Sequence, residues 1–229
     1  DRLADVIDAV FGRFIRSQDW TVVDGRHGPG AVAERLDLVG RWDFGPHNED
    51  ILRVFPDPLP TVYSMPYDTI PGPALSRLVA VPKTSEKPRL ISIEPSTHQF
   101  IQQSIKDRLY EMFRGIRCCD LDTQDHNQAL AWYGSIEGAY ATIDLSDASD
   151  RIHVDLVASV FSRYPSFLEA IMAVRTRDIL LPSGGVVHLN KYASMGSALT
   201  FPIQVILFTG MALLARVLDT EESVHAPFV

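Results

Sequence analysis

A carboxylate at the end of a short apolar run, followed by a small polar turn, is well placed to reach a metal ion. The stretch ATIDLSDASDRI, residues 141–152, has that form and offers Asp144. Roughly fifty positions later SMGSALTF, residues 194–201, is a Ser/Gly-rich loop running into a long apolar segment. Well upstream of both, the run from Arg77 to Arg89 carries Arg77, Lys83, Lys87 and Arg89 against one acid, Glu86. Basic turn, carboxylate and hydroxyl-bearing loop, in that order, suit phosphoryl transfer between nucleotides. That chemistry uses two divalent ions held by carboxylates from different strands.

Each piece also has a plainer reading. Asp144 alone fits a surface aspartate capping the next helix. In the loop, Gly196 lets backbone approach a substrate closely, and Ser194, Ser197 and Thr200 bring hydroxyls near a helix N-terminus. The same residues serve equally as a small turn before a core helix. Lys83, Lys87 and Arg89 can grip a triphosphate, with the Arg89 guanidinium forking onto phosphate oxygens, or can form a solvated hairpin tip. The order of the three along the chain favours the chemical reading.

The elements that must position these residues follow from local pattern. Leu3, Val6, Ile7, Val10, Phe11 and Phe14 recur at helical spacing from the start of the chain. Residues 20–75 are punctuated by RHGPG at 26–30, FPDPLP at 55–60 and IPGP at 70–73, which predicts extended and turn backbone with no core of its own. LVAVPK and RLISIEP, within 77–95, predict a hairpin with its basic residues at the turn. Ser96 and Gln99 have the spacing of a capping box for a helix with Ile101, Ile105, Leu109 and Met112 on one face, ending near Gly115. A polar connection over 117–137 leads to a strand over Tyr140–Leu145. Ser146 or Asp147 then caps a helix with a stripe of Ile152, Leu156 and Val160. LLPSGGVVHL predicts a second hairpin, with Gly184 and Gly185 taking positive φ. Residues 198–215 carry no charge. Their length suits a membrane span, but Pro202, Gln204, Thr200, Thr209 and Gly210 favour a wholly buried core helix.

A net charge of −8 has the wrong overall sign for a nucleic-acid binder, yet the cluster between Arg77 and Arg89 leaves room for a local basic groove. The adjacent Cys118 and Cys119 lack zinc-site spacing and read as reduced thiols, and the seven histidines suggest no metal site. The chain starts with Asp1 inside a helical pattern, as if cut from something longer.

VPKTSEKPRLISIEP resembles the basic fingers motif of the replicases of single-stranded RNA bacteriophages, the levivirus group. ATIDLSDASDRI resembles their first palm motif and YASMGSALTFPIQVILF their second; RHGPG and DLDTQDHNQ are similar to the group as well. The related mitovirus and narnavirus polymerases are the nearest confusable group. The resemblance implies an α+β right-hand polymerase: fingers and part of the palm, an antiparallel palm sheet packed on helices, and no thumb. It divides the chain into an N-terminal and fingers region, 1–135, with the contacting hairpin at 77–95. A partial palm, 136–229, then carries the first motif at 141–152 and the second at 192–217.

The resemblance further implies Asp144 as catalytic ligand of two Mg2+ ions, with Mn2+ as a substitute. Lys83 and Arg89 are implied to contact the triphosphate, and Ser194, Gly196 and Thr200 to position the nucleotide. Where many viral polymerases recognise the ribose 2′ hydroxyl with an aspartate and an asparagine, this chain has Ser149 and Gln204, with Asp150 as an alternative. The implied partners are RNA template and product, nucleoside triphosphates and host translation factors, in the cytoplasm of an infected bacterium, without a membrane. No Gly-Asp-Asp occurs in the chain, whose last residues, HAPFV at 225–229, look like the opening of that strand. The expectation is a truncated polymerase, inactive alone. A non-catalytic RNA-binding remnant and a membrane-associated protein anchored by 198–215 are the alternatives.

Overall fold

A computed structural model of the chain describes residues 1–34, 40–42, 44, 47–57, 69–83, 87–119 and 121–220. The turn of the basic hairpin at 84–86 and the HAPFV segment lie outside the described residues. The first helix, α1 (Arg2–Ser17), begins where the Asp1 carboxylate accepts the Leu3 N–H. Leu3, Val6, Ile7, Phe11 and Ile15 turn inward, as the spacing predicts, while Val10 and Phe14 pack at the margin. The Pro/Gly-rich region contributes more than expected. It holds a two-residue strand β1 (His47–Asn48), a short helix α2 (Glu49–Val54) and β2 (Thr69–Ile70), which pairs parallel to β1. Trp20, Ile51 and Phe55 from this region are wholly buried in the main core.

The hairpin forms as β3 (Leu75–Val81) and β4 (Arg89–Ile93), with Val81 opposite Arg89. The helix after it, α3 (Ser96–Arg114), keeps its predicted stripe, but its N-terminus is capped differently. Pro95 holds the cap position, and the Ser96 N–H donates to the Glu34 carboxylate at 3.1 Å. A carboxylate from a distant loop thus replaces the expected side-chain box, and its charge suits the positive end of the helix. Within the predicted polar connection lies another helix, α4 (Asp125–Glu137), none of whose residues is buried. Without a buried stripe it leaves no apolar period to read.

The strand expected over Tyr140–Leu145 does not form, and those residues have no regular structure. A strand needs a hydrogen-bonded neighbour, and among the described residues none lies alongside; Ile143 stays 83% exposed. Downstream, a 3-10 turn over Ala148–Arg151 intervenes before α5 (Val154–Phe161), which His153 caps in place of Ser146 or Asp147. Then come α6 (Pro165–Ala173), β5 (Asp178–Leu180), β6 (Val186–His188) and α7 (Thr200–Thr220). In the β5–β6 turn Gly184 alone takes positive φ.

The fold is α+β, but its main sheet is mixed, correcting the expected antiparallel palm sheet. The order is β4-β3-β5-β6, with β3 and β5 parallel and both outer pairs antiparallel. Beside it, α1, α3, α5, α6 and α7 share one apolar core. Phe11 meets Phe113 edge-on at 6.3 Å, and Phe167 lies against Trp20 and Phe161. Among the described residues α7 is the one helix long and apolar enough to cross a bilayer. It is not wholly buried as expected: Ile203, Ile206 and Leu207 enter the core, while Phe201, Met211 and Leu218 are exposed. Its inner face lies against α1, where Gly210 sits beside Ile7.

Candidate functional site

The Ser/Gly loop is clamped onto the basic hairpin. The Ser92 N–H on β4 donates to the Met195 carbonyl at 2.7 Å. Gly196 has φ +123°, and a Cβ there would stand 1.8 Å from the Ser92 carbonyl oxygen. The close approach anticipated between Gly196 and a substrate is therefore made to the chain's own strand. Within the loop the Ser197 N–H and the Thr200 hydroxyl both donate to the Ser194 carbonyl, at 3.2 and 2.7 Å. The Ser194 hydroxyl, the Ser92 hydroxyl and the Gln204 amide nitrogen are buried with no hydrogen-bond partner among the described residues. Such groups cost stability where they stand. Arg89 and Lys83 are exposed at the turn end of the hairpin. At about 3.3 Å of rise per residue, Arg89 lies roughly 10 Å along β4 from the loop's docking point.

Beneath the loop is a buried polar network that no motif announces. Glu94, just after β4, accepts from the Thr176 hydroxyl and from Gln102 Nε2. The Arg175 guanidinium donates to the carbonyls of Leu189, Lys191 and Tyr192, bracing the segment that enters the loop. One clue was available: Gln102 occupies the same stripe of α3 as His98, Ile105 and Leu109, where a polar residue must find buried partners.

Burial pushes the Glu94 carboxyl up to about 7, although the Thr176 and Gln102 hydrogen bonds and the Arg175 charge pull the other way. Burial, assisted by the His47 charge, pushes His98 down to about 4. The two act on stability with opposite signs. The Glu94 contribution is present below pH 4.5 and lost as pH rises through 7; the His98 contribution is present above 6.5 and lost as pH falls through 4. Each is worth about 3 kcal/mol, and their slopes oppose one another between pH 4.5 and 6.5. Glu94→Gln is expected to unmask a stability that rises with pH up to 6.5, and His98→Gln one that falls with pH from 4.5 to 7. Urea unfolding midpoints across this range check both; parallel profiles for the two variants would refute the assignment.

The carboxylate segment is tied to the loop's approach. After Asp147, which takes φ +54°, Ser149 is buried in the 3-10 turn and Asp150 pairs with Lys191 at 2.6 Å. The Val154 N–H donates to the Asn190 carbonyl, and the Tyr192 N–H to that of Ile152. Asp144 stands before this junction, exposed, and nothing among the described residues pairs with its carboxylate. It caps no helix, since Asp147 and His153 hold the two following N-caps. Among the described residues no group of three His, Cys, Asp or Glu side chains is gathered closely enough to hold an ion. The structure thus seats the loop of Ser194, Gly196 and Thr200 on β4, ties the turn of Ser149 and Asp150 to the segment that enters that loop, and leaves Asp144, Lys83 and Arg89 exposed. Cys118 and Cys119 are free thiols, as expected.

Residues 69–224 match the family model described as RNA replicase, beta-chain. The RNA-directed RNA polymerase subunit beta of Escherichia virus Qbeta is 35% identical over 151 residues, covering 65% of this chain and 25% of that protein. The corresponding subunit of Enterobacteria phage SP is 36% identical over 137 residues, covering 60% and 23%. The RNA-directed RNA polymerase beta chain of Escherichia phage MS2 is 30% identical over 128 residues, covering 56% and 23%. The chain spans about a quarter of the length of the curated relatives it matches.

Proposed function

This chain belongs to the RNA replicase beta-chain family, and on that premise we propose that it supplies part of the active site of an RNA-templated RNA polymerase. The observation that carries the reading is the span of the family match, 69–224, which contains Lys83, Arg89, Asp144 and the 194–200 loop together. An exposed carboxylate with no partner among the described residues is a hard oxygen ligand suited to Mg2+ or Mn2+, so Asp144 fits as one metal ligand. Bound there, the ions would lower the pKa of the attacking 3′ hydroxyl and neutralise charge on the triphosphate. The remaining carboxylates must come from another strand.

The residues of this chain bind and orient. Lys83 and Arg89 neutralise the triphosphate from the hairpin end. The Ser194 hydroxyl and Gln204 amide, without partners among the described residues, hydrogen-bond the nucleotide, and the turn of Ser149 and Asp150 takes the ribose side. Gly196 and Thr200 act by holding the loop's shape, through the approach to Ser92 and the bond to the Ser194 carbonyl. RNA and nucleoside triphosphates are the proposed substrates, host translation factors the proposed accessory partners, and the infected bacterial cytoplasm the proposed location.

The test is template-dependent incorporation by a replicase of the relatives' full length containing this chain. Lys83→Ala and Arg89→Ala are each expected to raise the nucleotide KM about tenfold, the loss of one charge-assisted contact of about 1.4 kcal/mol, with a smaller change in kcat. Unaltered KM in both would remove the hairpin from the site. The 229-residue chain alone is expected to incorporate nothing, and robust Mg2+-dependent incorporation by it would overturn the proposed sharing of the metal site.

A further inference from the structure

Gln102 sits mid-way along the inner face of α3 and is 1% exposed. Its Nε2 donates to the Val174 carbonyl at 2.8 Å and to Glu94 at 3.2 Å, and its Oε1 accepts the Ala198 N–H at 3.1 Å. One amide therefore ties together the end of β4, the end of α6 and the loop before α7. The orientation is determined by its partners, because the side with two acceptors must receive the NH2 group. Only the oxygen is then left for Ala198. Among the described residues, the other hydrogen bond that reaches the loop from outside it and its helix bears on its first half, from the Ser92 N–H to the Met195 carbonyl beside the close approach of Gly196, while Leu199 packs into the core. Among the described residues, Gln102 is the side chain that hydrogen-bonds its second half, immediately before the hydroxyl of Thr200 turns back onto Ser194.

We propose that Gln102 is a positioning residue, which keeps the 194–199 loop seated on β4 in the shape that receives the nucleotide. The nucleotide half of this inference rests on the polymerase reading above. Through Gln102 and Ser92 the loop and the basic hairpin form one body, so the groups around the triphosphate and those around the nucleoside keep a constant separation. Gln102 itself is buried and touches no substrate.

The test compares Gln102→Met, similar in volume but without the amide, with Thr176→Val. The latter also removes a buried hydrogen bond to Glu94 but leaves the Ala198 contact intact. In the full-length replicase, amide hydrogen exchange over 194–199 is expected to quicken at least tenfold in Gln102→Met and to stay near the parent rate in Thr176→Val. The nucleotide KM is expected to rise about tenfold in Gln102→Met alone, with RNA affinity unchanged. Equal acceleration in both variants, or none, overturns the positioning role, and a quickened loop with unaltered KM overturns its link to the nucleotide. The unaltered protein offers a check that needs no variant: the Ala198 amide, outside any helix, is expected to exchange as slowly as the amides of α3, and free exchange refutes the proposal. If Asp144→Asn leaves synthesis intact, the polymerase reading of the site fails instead, and the exchange results still decide what holds the loop.

Discussion

Replacing Asp144 by Asn in the full-length replicase is expected to lower RNA synthesis at least about a thousandfold while leaving RNA binding and folding unchanged. A metal-ligating carboxylate supports several kcal/mol of transition-state charge stabilisation, and each 1.36 kcal/mol is a factor of ten in rate. The amide of Asn keeps the size of the side chain but carries no charge for the ions. The fold should be indifferent, because Asp144 is exposed, caps no helix and pairs with nothing among the described residues. Substitutions at such positions shift stability by only about 0.5 kcal/mol. Primer extension, an RNA-binding isotherm and a thermal melt on one preparation separate the two effects. Undiminished synthesis would return Asp144 to the status of an ordinary surface residue and favour a binding remnant over an enzyme.

Among the glycines whose surroundings are described, Gly196→Ala is expected to be the most damaging change to alanine. The new Cβ would stand 1.8 Å from the Ser92 carbonyl oxygen and 2.9 Å from its carbon, and the backbone at φ +123° disfavours any L side chain. Strained backbone of this kind costs about 1–3 kcal/mol before the clash is counted. Relief requires lifting the loop from β4, which breaks the 2.7 Å bond between the Ser92 N–H and the Met195 carbonyl. A total near 3 kcal/mol corresponds to a fall in melting temperature of about 6–12 °C for a chain of this size. Gly184→Ala is the matched control, since its φ is +89° and nothing lies within 4 Å of its Cβ position. It is expected to cost only about 1 kcal/mol. Equal melting temperatures for the two variants would show that the Gly196 approach to β4 is not maintained in solution.

The same glycine shows where reading the chain succeeds and where it stops. The presence of Gly196 in a Ser-rich loop before an apolar helix announces a close backbone approach, but not what is approached. The partner, Ser92, lies about a hundred residues away, and only the packing of the hairpin under the loop identifies it. Gln102 behaves alike. Its place on the apolar stripe of α3 marks a buried amide, whereas Glu94, Val174 and Ala198 come from three other segments.

By itself the sequence determined the elements whose causes are local. Apolar spacing defined α1, α3 and the long apolar helix, alternation and turn chemistry defined the two hairpins, and the motifs around Lys83, Asp144 and Ser194 identified the family. The tertiary structure decided what depends on distant partners. It paired β3 parallel with β5 and, among the described residues, left Tyr140–Leu145 without a strand neighbour. It capped α3 with Glu34, exposed one side of α7 and formed α4 with no buried face to betray it. Helix period and turn type arise within a few residues, so they are written in neighbouring letters. Strand pairing, helix capping from afar and buried polar ties are satisfied between segments, and any of several partners meets the same local demand until the chain has packed.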